Sequence, residues 1–336
     1  MDFNKFTTLS NLTVSMNRLP VKPQRIRDMK LFSGKGQTKT FAEIEIKNNK
    51  ITIIDPSPRR SSGQLHENGD REVEFFHSIH LKKYGSVVAD DYQDLRGFAK
   101  ETALQSVSEM VNDELEEIKN DFEASMEFYL MSALKGQLAN SSGKIITDYY
   151  QKFGMEKSFF YFDLGNAKVN VPEKCTQLSR LIKKANQGNQ TKRIHIFVGP
   201  EFFDKLKWHP STKELWLRWK DAEFFREDMS DMFKVGDVMF EVYDEELPDK
   251  EGRLHKMVAD GKGHAFPISS GRNYVLDYAP ANYEDTVNTK GKPYYAKMAT
   301  NKFGTARDIE AQTNPIIICT RPESLVEISD KAKPAA

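Results

Sequence analysis

DDYQDLRGFAKETALQSVSEMVNDELEEIKNDFEASMEFYLMSALKG, residues 90 to 136, carries the strongest helical signal in the chain. Val107, Val111, Leu115, Ile118, Phe122, Met126, Tyr129 and Ala133 recur at spacings of four or three, which is one apolar stripe of an α-helix. Gly136 supplies the stop. A helix from Arg96 to Lys135 would run about 60 Å at 1.5 Å per residue, which makes it a spine rather than one packing helix among several.

Working outward toward the N-terminus, FAEIEIKNNKITII at 41 to 54 alternates Ala42, Ile44 and Ile46 with Glu43, Glu45 and Lys47, and Lys47-Asn48-Asn49-Lys50 supplies turn residues for a hairpin. PSPRRSSGQLHENGDREVEFF at 56 to 76 then interrupts the strand pattern with Pro, Gly, Ser and Arg, and EVEFFHSIHL resumes it. A polar stretch this long between strands is a functional arm or a disordered segment. In MNRLPVKPQRIRDMK at 16 to 30, Arg18, Lys22, Arg25, Arg27 and Lys30 face only Asp28, and Pro20 and Pro23 oppose a helix. That composition predicts an extended or solvated arm over residues 1 to 35, and a hairpin region over 36 to 88.

Toward the C-terminus, residues 155 to 295 alternate helix and strand signals. PEKCTQLSRLIKKANQG opens with Pro172 in a first-turn position and closes at Gly188, with Cys175, Leu178, Ile182 and Ala185 on one face. The strand IHIFV leads into a helix start, GPEFFDKL, with Pro200 in its first turn. STKE at 211 to 214 reads as a capping box, and DVMFEVYD as a further strand. NPIIICTRPESLVEI reads as two short strands broken by Pro322, expected to return to the spine.

Composition bounds the function. The 336 residues suffice for two or three domains, and 39% hydrophobic content supports a core. Forty-nine Lys and Arg balance forty-nine Asp and Glu, so no whole-molecule field draws nucleic acid or an anionic membrane. Cys175 and Cys319 form neither a metal-ligand spacing nor a disulfide framework. With no signal peptide and no membrane-spanning run, synthesis in the cytoplasm is expected.

No stretch carries catalysis. SGKGQTKT at 33 to 40 lacks the GxxxxGK[ST] spacing and follows no buried strand. His77 and His80 in HSIH would point to opposite faces of a strand and cannot share a metal. His195 reads as a core or edge histidine with no triad partner in sequence. DEELPDKE at 244 to 251 is a solvated charge run, and Trp208, Trp216 and Trp219 read as partly buried rather than as a base-stacking platform. No catalytic residue, cofactor or metal site is expected. A basic arm, a long hairpin and a solitary spine leave more protruding surface than a lone monomer would carry, which points to a subunit whose arm lies on another copy.

AFPISSGRNYVLDYAPANYEDTVNTKGKPYYAKM at 265 to 298 and DIEAQTNPIIICTRPESLVEI at 308 to 328 resemble the C-terminal half of the phage major capsid protein E family, the lambda-like capsid subunits. ALKG at 133 to 136, FDL at 162 to 164, GPEFFDKL at 199 to 206 and SPRRSSG at 57 to 63 look like the same family, so the resemblance spans about residues 25 to 328. It implies an α+β fold of the Hong Kong 97-like type: an N-terminal arm at 1 to 35, an E-loop at 36 to 88, and a peripheral domain with the spine at 89 to 154. An axial domain would occupy 155 to 299, and the strands and tail at 300 to 336 would complete the peripheral domain.

The role implied is structural. Copies would form pentamers and hexamers, close into an icosahedral shell in the host bacterial cytoplasm with scaffold and portal proteins, and enclose double-stranded DNA contacted weakly and without sequence preference. No membrane partner is implied. Some relatives of the wider fold join an E-loop lysine to a neighbour's asparagine; Lys82 and Lys83 are present, but the lambda-like group relies on decoration proteins, so no cross-link is expected. An encapsulin-like cargo shell shares the fold, and genome neighbours encoding portal and terminase would separate the two. Failure to bind ATP would dispose of a nucleotide-dependent enzyme built on SGKG.

Overall fold

A computed structural model describes residues 9–19, 24–47, 71–92, 100–186, 189–221, 231–249 and 251–334. The polar stretch at 56 to 70, the Lys47-Asn48-Asn49-Lys50 turn beyond Lys47, Lys22 and Gly188 fall outside these residues.

The spine is α3 (Lys100–Leu134), and Gly136 follows it at φ 83°, a backbone conformation open to glycine at little cost. Val111, Leu115, Ile118, Phe122, Met126 and Ala133 of the expected stripe are buried, whereas Tyr129 is only partly so and Leu130 takes the buried position beside it. Two packing surfaces share this one helix. Its N-terminal half lies on a three-stranded antiparallel sheet, ordered β14 (Tyr295–Thr300), β15 (Ala306–Thr313) and β3 (Leu81–Val88). Its C-terminal half, through Met126, Leu130 and Leu134, joins the core that holds Phe197, Phe266 and Tyr243.

Those three aromatics belong to or adjoin a six-stranded mixed sheet. Its order is β6 (Ser158–Tyr161), β17 (Val326–Ser329), β12 (Lys262–Ser269), β7 (Thr191–Val198), β9 (Val238–Val242) and β8 (Met232–Val235). The opposite face packs Ile194, Ile196, Phe240 and Val326 against α5 (Val171–Ala185), α6 (Pro200–Trp208) and α7 (Lys213–Asp221). Alternation along each strand thus divides the sheet into a helix-covered face and a face turned to the spine. Pro172 and Pro200 occupy first-turn positions, where the missing N–H costs nothing.

Smaller units complete the chain. β1 (Phe41–Lys47) pairs antiparallel with β2 (Arg71–His77), from Phe41 opposite His77 to Lys47 opposite Arg71. β13 (Tyr274–Tyr278) pairs with β16 (Pro315–Cys319), and Ser33 and Gly36 bridge along its free edge at Val275 and Tyr278. β4 (Gln137–Ala139), β5 (Ile145–Asp148) and α4 (Tyr149–Lys152) lead out of the spine, and β10 (Glu246–Pro248) pairs with β11 (Leu254–Lys256).

Three local expectations give way. The extended arm contains a helix, α1 (Leu9–Arg18), and a short one, α2 (Arg25–Asp28). Pro20 and Pro23 fall outside the described residues, and Leu12 and Met16 form an i, i+4 pair buried on α3. The Ser211 hydroxyl does not close a capping box; its oxygen accepts from the Val171 N–H at 3.1 Å and joins α7 to the start of α5. Finally, β15 and β16 pack on the spine, but β17 inserts between β6 and β12 of the six-stranded sheet.

Candidate functional site

The residues singled out for chemistry are placed apart. In the 33–40 strap, the Lys35 amide and the Gln37 side chain donate to the Asp277 carboxylate at 2.8 and 2.5 Å, so a protein acid fills the place a phosphate would need. His77 and His80 are exposed, the latter bonded to Asn314 at 2.6 Å. Among the described residues no cluster of His, Cys, Asp or Glu is arranged to hold a metal. Trp216 is buried, Trp219 half-buried with its indole N–H on the Met232 carbonyl, and Trp208 is exposed, contrary to the partial burial expected of it. Asp249, inside the acidic run, is half-buried at the β10–β11 turn with its carboxylate turned inward, where it accepts from the Arg253 and Glu251 amides. Lys82 pairs with Glu310 at 2.8 Å and Lys83 with Asp121.

What the structure brings together is a set of buried charges that binds the N-terminal segment. Lys119, Glu123 and Glu127 stand at i, i+4 and i+8 on α3, each one residue past a member of the apolar stripe, and each is buried. Lys119 donates to the Met16 and Leu19 carbonyls at 3.1 and 2.6 Å, satisfying groups at the end of α1 that no further turn satisfies. Glu123 takes the Arg27 guanidinium and the Tyr294 hydroxyl. Glu127 accepts from the Ile26 amide at 2.8 Å and from the Tyr243 hydroxyl at 2.7 Å.

Arg25 turns the other way, to the sheet. Both its Nε and its terminal nitrogen reach Glu241 on β9, and the second oxygen of Glu241 also lies 2.8 Å from His195 Nε2 on β7. Burial pushes the His195 ring down toward the neutral form, so the carboxylate carries the charge that Arg25 neutralises. Burial alone would raise Glu241, but His195 and Arg25 outweigh it and hold the carboxyl below its ordinary value. At Glu127 burial wins, and the carboxyl is raised. Alternate residues of α2 thus grip the spine and the sheet, and Ile26 between them is fully buried.

The chemistry of this arrangement is retention, not turnover. Withdrawing α2 would leave Glu123 and Glu241 as buried charges without a cation, which is costly, so the segment is held as a unit or released as a unit. Sequence reading identified the basic residues and assigned them to an exposed arm. The buried position of their acids was missed, although the repeated one-residue offset of Lys119, Glu123 and Glu127 from Ile118, Phe122 and Met126 was a signal that the buried face is wider than one stripe.

A second cluster lies in the same strand row. Across the sheet, Glu327 on β17 stands opposite His264 on β12, which stands opposite Phe197 on β7, which stands opposite Glu241 on β9. Lys157 and Lys262 reach the two oxygens of Glu327 at 2.6 and 2.7 Å. Burial would raise this carboxyl, but the two lysines outweigh it and bring it down to about 2.

Comparison with known proteins places these features in a wider group. A family model described as "Phage major capsid protein E" matches residues 8–329. The "Major capsid protein" of Salmonella phage Felix O1 is 27% identical, with 97% of this chain and 96% of that one aligned. That of Pseudomonas phage KPP10 is 23% identical over 95% of each. Among solved structures, the putative capsid protein of a prophage of E. coli CFT073 has the same fold at a TM-score of 0.57 and 12% identity, covering 96% of this chain and 98% of that one.

Proposed function

The chain belongs to the phage major capsid protein E family, and from that premise we propose that it is the shell subunit of a tailed phage, many copies of which close into an icosahedral head of pentamers and hexamers around double-stranded DNA. The observation that carries this reading is the match over residues 8–329, which includes the six-stranded sheet, the three-stranded sheet and the spine.

In this reading residues 1 to 35 are the N-terminal arm, 36 to 88 the E-loop, 89 to 154 the peripheral domain with α3, 155 to 299 the axial domain, and 300 to 336 the closing strands and tail. The buried charges then fix the root of the arm to the subunit, and the paired strands β1 and β2 form the base of the E-loop. Zero formal net charge leaves no bulk attraction for DNA, so filling the head requires a motor at a portal, with a scaffold guiding assembly in the host cytoplasm. The ion pairs of Lys82 and Lys83 fit a shell held together without lysine cross-links.

Electron microscopy of the purified protein tests the reading directly. Closed shells or ring-shaped capsomers are expected, and a protein that stays monomeric at high concentration with and without a co-expressed scaffold would overturn it. Deleting residues 56 to 70 is expected to leave a folded subunit that fails to close shells, because a polar tip adds little to its own core.

A further inference from the structure

Among the described residues the most exposed large apolar side chain is Phe303, at 89%, on the turn between β14 and β15. The turn is built to hold it there. The Asn301 side-chain oxygen accepts from the Thr305 amide at 2.9 Å, its side-chain amide donates to the Thr305 hydroxyl at 2.8 Å, and the Thr305 carbonyl accepts from the Ala89 amide at 2.8 Å. Gly304 takes φ 69°, which lets the chain reverse immediately after the ring. An aromatic ring held in water on an ordered turn adds nothing to its own core, and is the kind of anchor that interfaces bury.

A cavity of matching character lies elsewhere on the same chain. Between α3 and the β10–β11 hairpin, an open space of about 280 Å³ is walled by Ala124, Phe128 and Tyr129 of the spine and by Leu247, Pro248 and His255. An apolar cavity of about 150 Å³ already takes a benzene ring, so a phenylalanine side chain fits. Phe128 stands edge-on to the rings of Tyr129 and His255, with centroids 5.6 and 6.3 Å apart, so the walls offer the edge-to-face contacts that aromatic rings prefer. The same cavity accounts for Tyr129, the member of the apolar stripe that the core leaves half-buried.

Charge matches as well. The turn from Asn301 to Thr305 carries Lys302 and no acid, whereas the spine from Asp113 to Asp121, which leads up to the cavity, carries five acids and one lysine. That lysine, Lys119, is buried and turned to α1. The ring cannot reach the cavity of its own subunit. Lys83 of β3 pairs with Asp121 at the cavity, Gly85 lies against Glu114, and Val88 stands opposite Ala306 at the foot of the turn, so β3 leads away from the cavity toward the N-terminal end of the spine. The strand from Lys83 to Val88 alone spans about 17 Å at about 3.4 Å per residue.

We propose that Phe303 of one copy seats in the cavity between the spine and the β10–β11 hairpin of a second copy, with Lys302 against the acidic face of that spine. The two surfaces are different parts of one chain, so the contact is head-to-tail and extends into a ring or a row rather than closing in a pair. The proposal rests on the reading of the chain as a shell subunit, and names one contact between its copies.

Phe303→Ser removes a solvent-exposed ring, so the unassembled variant is expected to keep the wild-type Tm while the concentration at which assemblies appear in light scattering rises about tenfold or more. Phe303→Leu, which keeps an apolar anchor, should recover most of that loss. Ala124→Phe fills the receiving cavity and is expected to give the same defect, with near-UV circular dichroism to show that it is folded. The occupant is identified by replacing Phe303 with p-benzoylphenylalanine and irradiating the assemblies. A product of twice the chain mass, joining position 303 to a peptide within residues 121–129 or 247–255, is expected. Assembly of either Phe303→Ser or Ala124→Phe at the wild-type concentration overturns the proposal and leaves the shell reading standing. So does a cross-link confined to another surface or to a different protein. A wild-type chain that stays monomeric at every concentration, with and without scaffold, overturns the shell reading and this contact with it.

Discussion

On one face of the six-stranded sheet, three strands apart in a single row, two glutamates meet their cations in different ways. Glu241 is buried and answered by one arginine from the N-terminal segment, with a neutral histidine beside it, so its charges close. Glu327, which like Glu241 lies one strand in from a sheet edge, is answered by two lysines that still reach water. The difference teaches what each pocket is for. A dry pocket contributes specificity of position, because only one segment can fill it; a wetter one, whose lysines are screened by solvent, holds its acid more loosely.

The sharpest way to break the comparison is to remove a cation from the dry side. Arg27→Met leaves Glu123, whose side chain is 1% exposed, without its guanidinium, and is expected to cost about 3–5 kcal/mol in urea unfolding. Adding Glu123→Gln should return much of the loss, because the charge that was stranded is then gone. A single variant that loses less than about 1 kcal/mol would mean that water enters this pocket as freely as it enters the other.

On the wet side the effect is expected to be smaller. Glu327→Gln at pH 7 should cost about 2 kcal/mol, discounted because Lys157 and Lys262 are 26% and 52% exposed. The sign in pH follows from the depressed carboxyl. Its contribution is complete above the ordinary value of 4.5 and is lost as pH falls through about 2, so the wild type and the Gln variant should converge in acid.

Glu127 gives a slope of the opposite sign within the dry pocket. Burial raises its folded value above 4.5, so its contribution is complete below 4.5 and falls away as pH climbs through the raised value. Glu127→Gln keeps an acceptor for Ile26 N–H and cannot ionise. It is expected to gain about 1 kcal/mol on the wild type between pH 5 and pH 8. Parallel stability curves for the two proteins would show that Glu127 is ionised throughout.

These pockets also mark where sequence reading reached its limit. The spine, α5, α6 and β7 were legible because each is written in residues a few positions apart, as apolar period, first-turn proline or a run of β-formers. The pockets are written in pairs separated by much of the chain, Arg25 with Glu241 and Arg27 with Glu123, and a local window sees only a basic stretch and a charged helix face. The partner of β1 was hidden for the same reason: it lies at Arg71–His77, beyond the polar stretch, and the nearer turn signal said nothing of it. β17 could be recognised as a strand from its residues, but its insertion between β6 and β12 depends on contacts with segments far away in sequence.

The smallest effect expected concerns Lys135, in the turn that ends α3. Burial, with Lys157 adding to it, brings this ammonium down to about 8 from its ordinary 10.5. Between those two values the unfolded chain holds more protons at Lys135 than the folded one, so this lysine's contribution to stability should rise with pH across that window. Lys135→Met lacks that contribution, and its curve should rise less steeply than the wild type's. The gap between the two slopes is expected to be about 1 kcal/mol from pH 8 to pH 9, below the full linkage value because the lysine keeps some access to water. Equal slopes for wild type and Lys135→Met would place the ammonium in water, with no burial acting on it.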